Sequence, residues 1–335
     1  MKIKDYFLPK SFIYTGKHKN IPTQIIHYHY SDTSLEVTNN FKPLDSDKHY
    51  IQVIGLSDLE KIQTLTKHYQ VDPLILEDVF NVNQRSKIEI KENYIFGVFH
   101  LEYLEKEIVK EDYLSLLMFK DTIISFHEKE PVYLDSLKIL LEKSKDLKSK
   151  SIDYLFYQIL DIVTDKHIDL FEYIDIKQTN FEEEILDDKK INQDDFYLTR
   201  KNLLKLKNCV SPFLEQLDKT IDKSLLFNKS NRIYYDDLID HLKRLNQQVD
   251  QARELMRNIL DLHINNQSNQ MNRIMTTLTL FSAIFIPLSF LTGFFGMNFV
   301  HFGILEYEYA IIVFIGLCFI LAGLMVLLFK KMKWF

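Results

Sequence analysis

Two long runs without a charged side chain near the C-terminal end restrict this chain more than any other feature of its sequence. Residues 276–295 and 309–329 contain no Asp, Glu, Lys or Arg. A helix of about 20 apolar residues spans the roughly 30 Å hydrocarbon core of a bilayer. The alternative, two helices buried in a soluble core, is disfavoured because such helices rarely run this long without a charge. We therefore predict two transmembrane helices joined by a loop at residues 296–308.

Charged residues beside the two runs predict the orientation in the membrane. Arg273 precedes the first run and Lys330, Lys331 and Lys333 follow the second, whereas the loop at 296–308 contains no Lys or Arg. Cytoplasmic flanks carry the excess of Lys and Arg in membrane proteins. The pattern therefore predicts a multi-pass membrane protein with both termini in the cytoplasm.

Small and polar residues form a stripe along the first predicted span and the segment before it. They recur at spacings of three and four residues, which keeps a set on one side of a helix and turned toward a shared axis. Polar groups at membrane depth are tolerated against other protein or a water-filled cavity, so we predict the wall of a water-containing pore. Tight packing of small residues is the alternative, because Ser and Thr can hydrogen-bond to their own helix. The predicted pore-lining residues are Asp261, Ser268, Asn272, Met275, Thr279, Ser282, Ile286, Ser289 and Gly293.

The first span and its outer end carry a resemblance to a known family. The run QMNRIMTTLTLFSAIFIPLSFLTGFFGMNF ends in a Gly-Met-Asn tripeptide at residues 296–298, with a second span and a Lys-rich tail behind it. It resembles the signature of the CorA family of divalent-cation channels. The segments LEDVFNVNQRSKIEIKENYIF and IDYLFYQILDIV extend the resemblance to nearly the whole chain. The family implies a homopentameric funnel in a bacterial or archaeal plasma membrane (the cell inner membrane) that carries Mg²⁺ and Co²⁺.

The expected fold is an α+β membrane protein whose mass lies mostly in the cytoplasm. Two helices per chain cannot enclose a pore, so homo-oligomerisation is required, and the pentamer is implied by the resemblance alone. The predicted parts are an α/β domain at 1–130, a helical region at 131–235, a stalk helix at 236–295 that continues into the first transmembrane helix at about 276–295, the loop at 296–308, the second transmembrane helix at 309–329 and a basic cytoplasmic tail at 330–335.

Local patterns in the part before the membrane runs predict strands first and helices later. Ser57 is expected to cap a helix that runs to about His68, and Asp72 with Pro73 to begin another. Strands rich in β-branched and aromatic residues are predicted at 24–30, 49–54, 86–90, 94–100, 113–119 and 122–127. Helical periodicity follows from Pro131, with breaks near 148–151, 187–192, 211–212 and 228–231, and the last helix starts near residue 236.

Motifs of other function classes are missing from the sequence. No phosphate-binding Gly loop, nucleophile elbow or HExxH is found, so we expect neither an enzyme nor a nucleotide site. The formal net charge is −6 without a basic cluster, which excludes nucleic acid. Cys209 and Cys318 are far apart and predict no disulfide. His27 and His29 share a strand face, but a structural role is preferred to metal binding because no further ligand follows at a suitable spacing.

The resemblance and the chemistry of Mg²⁺ together predict how an ion would pass. Mg²⁺ prefers octahedral oxygen ligands and sheds water reluctantly. Asn298 from each subunit, in a filter with Gly296 and Met297, would present amide oxygens to a hydrated ion. Glu306 and Glu308 would raise the cation concentration at the mouth. Further rings are predicted at Ser289 and Asn272, and a dewettable constriction at Met275, Leu278 and Ile286.

Regulation by internal Mg²⁺ is also implied by the resemblance. In the family, cytoplasmic Mg²⁺ bridges neighbouring subunits and holds the pore shut. The matching positions are Asp78, with Glu77, on one subunit and Asp237 on the next. Asp261 would add a further acidic ring. The alternative is that Asp78 merely faces solvent.

The loop departs from the family pattern. After the tripeptide and Phe299 the family reads a loop that ends in Met-Pro-Glu-Leu, whereas this chain has VHFGILEYE. His301 in this loop is a candidate ligand for a softer ion such as Zn²⁺. Two other functions therefore stay open: a Zn²⁺ transporter of the same fold, and a membrane-tethered sensor that does not conduct.

Overall fold

The computed structural model describes residues 13–42, 47–187, 189–297, 303 and 308–332. The chain divides into two compact units, residues 1–257 and 258–335. The first unit contains a mixed sheet and helices, and the second contains the two apolar C-terminal helices. The bounds of the helices are α1 Leu59–His68, α2 Pro73–Phe80, α3 Asp135–Lys143, α4 Lys145–Ser149, α5 Ile152–Leu186, α6 Gln193–Thr220, α7 Arg232–Phe295 and α8 Ala310–Lys331.

A sheet with the order β2-β1-β3-β7-β6-β5-β4 forms the centre of the first unit. Every neighbouring pair is antiparallel except β3 and β7, which are parallel. Helices α1 and α2 pack on one face of the sheet through side chains such as Ile62, Val79 and Phe80. The strands are β1 Gln24–Tyr30, β2 Leu35–Thr38, β3 Lys48–Ile54, β4 Lys87–Ile90, β5 Ile95–Glu105, β6 Ile108–Met118 and β7 Thr122–His127.

The six strands that the sequence predicts are confirmed, and two details differ. The short strand β2 was not predicted, because its four residues, LEVT, are too few for a periodic signal. Strands β5 and β6 extend into a hairpin whose turn residues, Lys106 and Glu107, have φ of 48° and 64°. Gly, Asn or Asp usually occupies such positions, so no turn could be predicted there from residue types.

The starts of the first two helices follow from side-chain capping. Asp58 rather than Ser57 caps α1: its Oδ1 accepts a hydrogen bond from the Lys61 N–H at 3.0 Å. Asp72 Oδ1 accepts from the Leu74 N–H at 2.9 Å, and Pro73 begins α2 as predicted.

The predicted helix break at Ser211 and Pro212 is wrong, because α6 continues through both residues. A proline inside a helix costs about 3 kcal/mol, since it removes one backbone hydrogen bond. Burial on both sides of this position offsets that cost. The Phe213 ring packs edge-on against Phe99 of β5 with centroids 4.9 Å apart, and Val210 is fully buried. The breaks near 148–151 and 187–192 are confirmed, while 229–231 forms a 3₁₀ turn and α7 begins at Arg232.

The two histidines of β1 contact neighbouring polar side chains. His27 Nε2 lies 3.1 Å from His49 Nδ1, and His29 Nε2 lies 2.8 Å from Asp47 Oδ2. Burial lowers the pKa of His27 to about 4, with repulsion from His49 and His29 as further causes, which keeps this imidazole neutral. Among the residues that the structure describes, no group of three metal-ligating side chains occurs. The hydrogen bond to His49 and the contact with Asp47 give His27 and His29 partners within the fold.

The start of α7 is fixed to the start of α5 by a buried carboxylate. The Asp153 side chain accepts hydrogen bonds from the Asn228 N–H at 2.9 Å and from Asn231 Nδ2 at 3.0 and 3.1 Å. The Tyr235 hydroxyl donates to the Asp153 carbonyl at 2.6 Å. Asp153, Asn231 and Tyr235 are almost fully buried. Since buried amides need partners, this cluster fixes where α7 begins.

Replacing Asp153 with Ala should lower the free energy of unfolding by about 2–3 kcal/mol, because the buried amide of Asn231 loses its carboxylate acceptor. The measurement is the chemical-denaturation midpoint of the full chain in detergent. Glu215→Ala is the control, since that exposed carboxylate forms its ion pair with Lys219 of its own helix, and its midpoint should not move. Equal midpoints for both variants would contradict the assigned role of Asp153.

Candidate functional site

Two helices of the second unit are long and apolar enough to cross a membrane. They are the C-terminal part of α7 and the whole of α8. In the most apolar stretch of each helix, only 6% and 0% of the residues are buried within the chain. A core helix of a soluble protein would be covered by its own chain, so the alternative of two buried helices is not supported. Such a large apolar surface needs lipid or other protein to cover it.

The predicted pore stripe is exposed along α7 in the single chain. Met275, Leu278 and Ile286 have exposed fractions of 59%, 66% and 67%. The polar members are likewise exposed, except for Ser282, which is half-buried. The exposed stripe residues are Asp261, Ser268, Asn272, Met275, Leu278, Thr279, Ile286, Ser289 and Gly293.

The opposite side of α7 is the one that its own chain covers. Leu280 is 7% exposed, and Ile284, Pro287 and Leu291 are half-buried at helical spacing from it. At the outer end, the ring of Phe295 on this side contacts Phe314 of α8 with centroids 5.1 Å apart. Because these positions lie about half a turn from the stripe, the contact with α8 leaves the stripe open.

Hydrogen bonding distinguishes the Thr residues of α7 from the Asn residue of the stripe. Thr279 Oγ1, in the stripe, donates to the Met275 carbonyl at 2.8 Å, and the hydroxyls of Thr277 and Thr292, outside the stripe, also donate to carbonyls of α7. These hydroxyls are therefore compatible with the packing alternative as well as with a pore. The amide of Asn272 has no hydrogen-bond partner within the described part of the chain. It is exposed, so water or another chain must satisfy it.

The C-terminal end of α7 places Gly296 and Met297 directly after the last helical turn. The Gly296 N–H donates to the Thr292 carbonyl at 3.0 Å, and Met297 is 57% exposed. A Cβ on Gly293 would meet nothing within 4 Å, which leaves room for a second chain to approach closely. Glu308 is exposed just before α8. Asn298, His301 and Glu306 lie outside the described residues.

The predicted regulatory carboxylate of α2 already has a partner in its own chain. Lys87 Nζ lies 2.6 Å from Asp78 Oδ2 and 2.6 Å from Glu89 Oε1. The Asp78 side chain is 26% exposed, so this ion pair is only partly screened by water. Glu77 is exposed beside it. A cation that binds Asp78 must therefore compete with Lys87.

Asp237 on α7 faces two acidic residues of α5 that the sequence analysis missed. Burial raises the pKa of Asp161 to about 6, and repulsion from Asp165 and Asp237 adds to it. His241 Nε2 lies 3.9 Å from Asp237 Oδ1. Its attraction for the carboxylates of Asp161 and Asp165 partly offsets the rise in their pKa. The signal that could have found them is the four-residue interval between Asp161 and Asp165, which puts both on one side of a helix. Within the described part of one chain, these side chains do not form a group of three that could hold a metal ion.

Comparisons with known proteins agree with this geometry. Residues 50–331 match the family model described as "CorA-like Mg2+ transporter protein". The "Cobalt/magnesium transport protein CorA" of Thermotoga maritima is 29% identical over 97% of this chain and 96% of its own length. The "Zinc transport protein ZntB" of Photorhabdus laumondii is 25% identical over 59% of this chain and 61% of its own length. The CorA magnesium transporter of Methanocaldococcus jannaschii has the same fold, with a TM-score of 0.75 at 18% identity, over 94% of this chain and 100% of that one.

The stripe predicts which positions of α7 meet water in the membrane. With Cys318 first replaced by Ser, Thr279→Cys should react with a membrane-impermeant thiol reagent at least about ten times faster than Leu280→Cys, since a thiol in an apolar contact does not ionise. The measurement is the labelling rate of the full chain in liposomes. Leu280 is the matched control because it is the adjacent residue on the covered side. Equal rates at the two positions would favour the packing alternative.

Proposed function

Since the chain belongs to the CorA family of divalent-cation transporters, we propose that it is a channel for Mg²⁺ and Co²⁺. Influx is passive and follows the ion gradient and the membrane voltage, which supplies roughly 4 to 5 kcal/mol per 100 mV for a doubly charged ion. The observation that carries the proposal is the stripe, which stays open on α7 while the contact with α8 lies on the other side. The name of the Thermotoga maritima relative supports Mg²⁺ and Co²⁺ as the cargo.

In this proposal several copies of the chain place their stripes around one axis. Two helices per chain cannot enclose a channel, and the exposed Gly293 allows close approach of a second helix. The copy number is five, as the family resemblance implies. The protein lies in the plasma membrane with both termini in the cytoplasm, and the parts at 1–130, 131–235 and 330–335 are cytoplasmic.

The filter in this proposal is the ring of Gly296, Met297 and Asn298. Amide oxygens are neutral acceptors for the hydrogens of coordinated water, so the ring holds a hydrated Mg²⁺ without removing its first shell. Weak binding lets the ion leave. Glu306 and Glu308 concentrate cations at the entrance.

Asn298→Ala should reduce Mg²⁺ uptake to less than about one tenth, because the filter loses its oxygen ring. Uptake is measured in liposomes with an internal Mg²⁺-sensitive dye and a set membrane potential. Asn208→Ala, an exposed Asn on α6, is the matched control and should keep full uptake. Unchanged uptake by Asn298→Ala, with an unchanged oligomer mass, would refute the filter.

Internal Mg²⁺ closes the channel by bridging Asp78 and Glu77 of one subunit to Asp237 of the next. Carboxylates that face one another repel until a cation lies between them. Loss of the cation at low internal Mg²⁺ releases the subunits. Asp261 adds a further acidic ring.

Asp237→Ala should abolish the inhibition of current by millimolar internal Mg²⁺. Asp240→Ala, an exposed carboxylate one turn away, is the control and should keep it. Lys87→Met should act in the opposite direction and shift inhibition to lower Mg²⁺, because it removes the cation that competes for Asp78. Inhibition that persists unchanged in Asp237→Ala counts against the regulatory site.

Zn²⁺ transport is the second candidate, favoured by the similarity to a zinc transport protein. The intact Gly-Met-Asn tripeptide argues for Mg²⁺ and Co²⁺ instead. Competition of Zn²⁺, Co²⁺ and Mg²⁺ in the liposome assay separates the two, and the absence of any flux would leave the non-conducting sensor.

A further inference from the structure

A groove between α6 and α7 in the first unit is lined by cations and apolar side chains, without a carboxylate. It encloses a volume of about 270 Å³. Arg200 and Lys201 come from α6, and Arg253 and Arg257 come from α7. Four positive charges around one groove are unexpected in a chain whose formal net charge is −6. We call this site the α6–α7 basic groove.

Helical spacing explains how the two helices build the groove. Tyr197, Lys201 and Leu204 follow one another at intervals of three and four residues on α6, so they share a face. Arg253 and Arg257 are four residues apart on α7 and share a face in the same way. Nearby, the two helices are joined by Lys207 Nζ, which lies 2.6 Å from Asp250 Oδ2 and 3.0 Å from Asn246 Oδ1. The groove is therefore built on two packed helices.

The cations of the groove are poorly neutralised. Arg253 is 3.5 Å from Asp250, but that carboxylate is also bound by Lys207. Within the described residues, no carboxylate lies within 4.0 Å of the side-chain nitrogens of Arg200 or Arg257. Two acidic residues of α7, Glu254 and Asp261, lie within about one turn of Arg257. Among the described residues, neither forms an ion pair with Arg257. Like charges held together destabilise a site unless an anion joins them.

We propose that the α6–α7 basic groove binds the polyphosphate group of a nucleoside triphosphate or of inorganic polyphosphate. Arg is suited to phosphate because its planar fork donates two parallel hydrogen bonds, and three of the four cations are Arg. The volume lies just below the usual range for sites that enclose a whole small molecule, so the groove takes the phosphate chain rather than the entire nucleotide. Tyr197, 68% exposed, and Leu204, 49% exposed, offer apolar contacts at the mouth.

This inference departs from the expectation that the chain binds no nucleotide. That expectation rested on the missing Gly-rich loop, in which backbone N–H groups surround phosphate. Side chains from two helices can replace such a loop, and a site of this kind has no short sequence motif by which it could be recognised. The test uses binding rather than flux, so that its outcome does not depend on the proposed conduction.

The test is calorimetric titration of the full chain in detergent and metal-free buffer. Inorganic triphosphate and ATP should bind with similar affinity, at one per chain, whereas adenosine and citrate should not bind. Citrate controls for negative charge and for metal chelation. Affinity should fall as salt is raised from 50 to 300 mM, because the groove is open to solvent.

Arg200→Gln and Arg257→Gln should each weaken triphosphate binding at least about tenfold, since each removes charge-assisted hydrogen bonds. Arg244→Gln, an exposed Arg on the same helix α7 but outside the groove, should leave binding unchanged. All three replaced side chains are exposed, and thermal melts confirm that the variants fold.

Three results would overturn the proposal. The first is that triphosphate does not bind. The second is that Arg244→Gln weakens binding as much as the groove variants do, which would show that the attraction is nonspecific. In the third, Arg257→Gln changes the oligomer mass without any anion binding, which shows that a neighbouring copy occupies the groove. Mg²⁺ uptake by the same preparation is measured separately, so loss of transport and loss of anion binding are distinguishable.

Discussion

A helix in hydrocarbon satisfies its own backbone hydrogen bonds, but it cannot satisfy a side-chain amide that faces lipid. This constraint governs the membrane part of the chain. Thr279 meets it by donating to the carbonyl of Met275. Asn272, just before the uncharged run, is exposed, and its amide has no hydrogen-bond partner among the described residues. The stripe therefore makes sense only with water or further copies of the chain.

The first unit provides the fixed start from which α7 extends. Asp153, Asn231 and Tyr235 join the beginning of α7 to the beginning of α5, and all three are almost fully buried. Farther along α7, Gln178 Nε2 donates to the Ala252 carbonyl at 2.9 Å. A helix held at several points along its length transmits a displacement instead of absorbing it, which is what regulation through Asp237 would require.

The same helix presents opposite charges at two places in the first unit. Around Asp237, burial raises the pKa of Asp161 and of Asp165, and repulsion from Asp165 and Asp237 raises that of Asp161 further, which favours a cation. Around Arg257, the basic groove favours an anion. Both sites lie between α7 and a neighbouring helix, so a ligand at either one would stabilise a particular packing of α7.

Much of the fold could be predicted because its signals are local. The strand bounds at 24–30 and 122–127 follow from β-branched and aromatic content, and Pro73 identifies the start of α2. Pro212 misled the prediction because the burial that holds α6 together there comes from residues distant in sequence, such as Phe99. The hairpin turn at Lys106 and Glu107 was missed because neither residue is typical of positive φ.

By itself, the sequence determined the two apolar spans, the stripe on one side of the first span and the Gly-Met-Asn tripeptide, since each depends on length, composition or helical spacing within one segment. Only the tertiary structure decided which charged groups meet across helices. Asp161 faces Asp237, Lys87 binds Asp78, and Arg200 shares a groove with Arg257. The physical reason is that such pairs depend on how whole helices and strands pack, and no spacing along the chain records that arrangement.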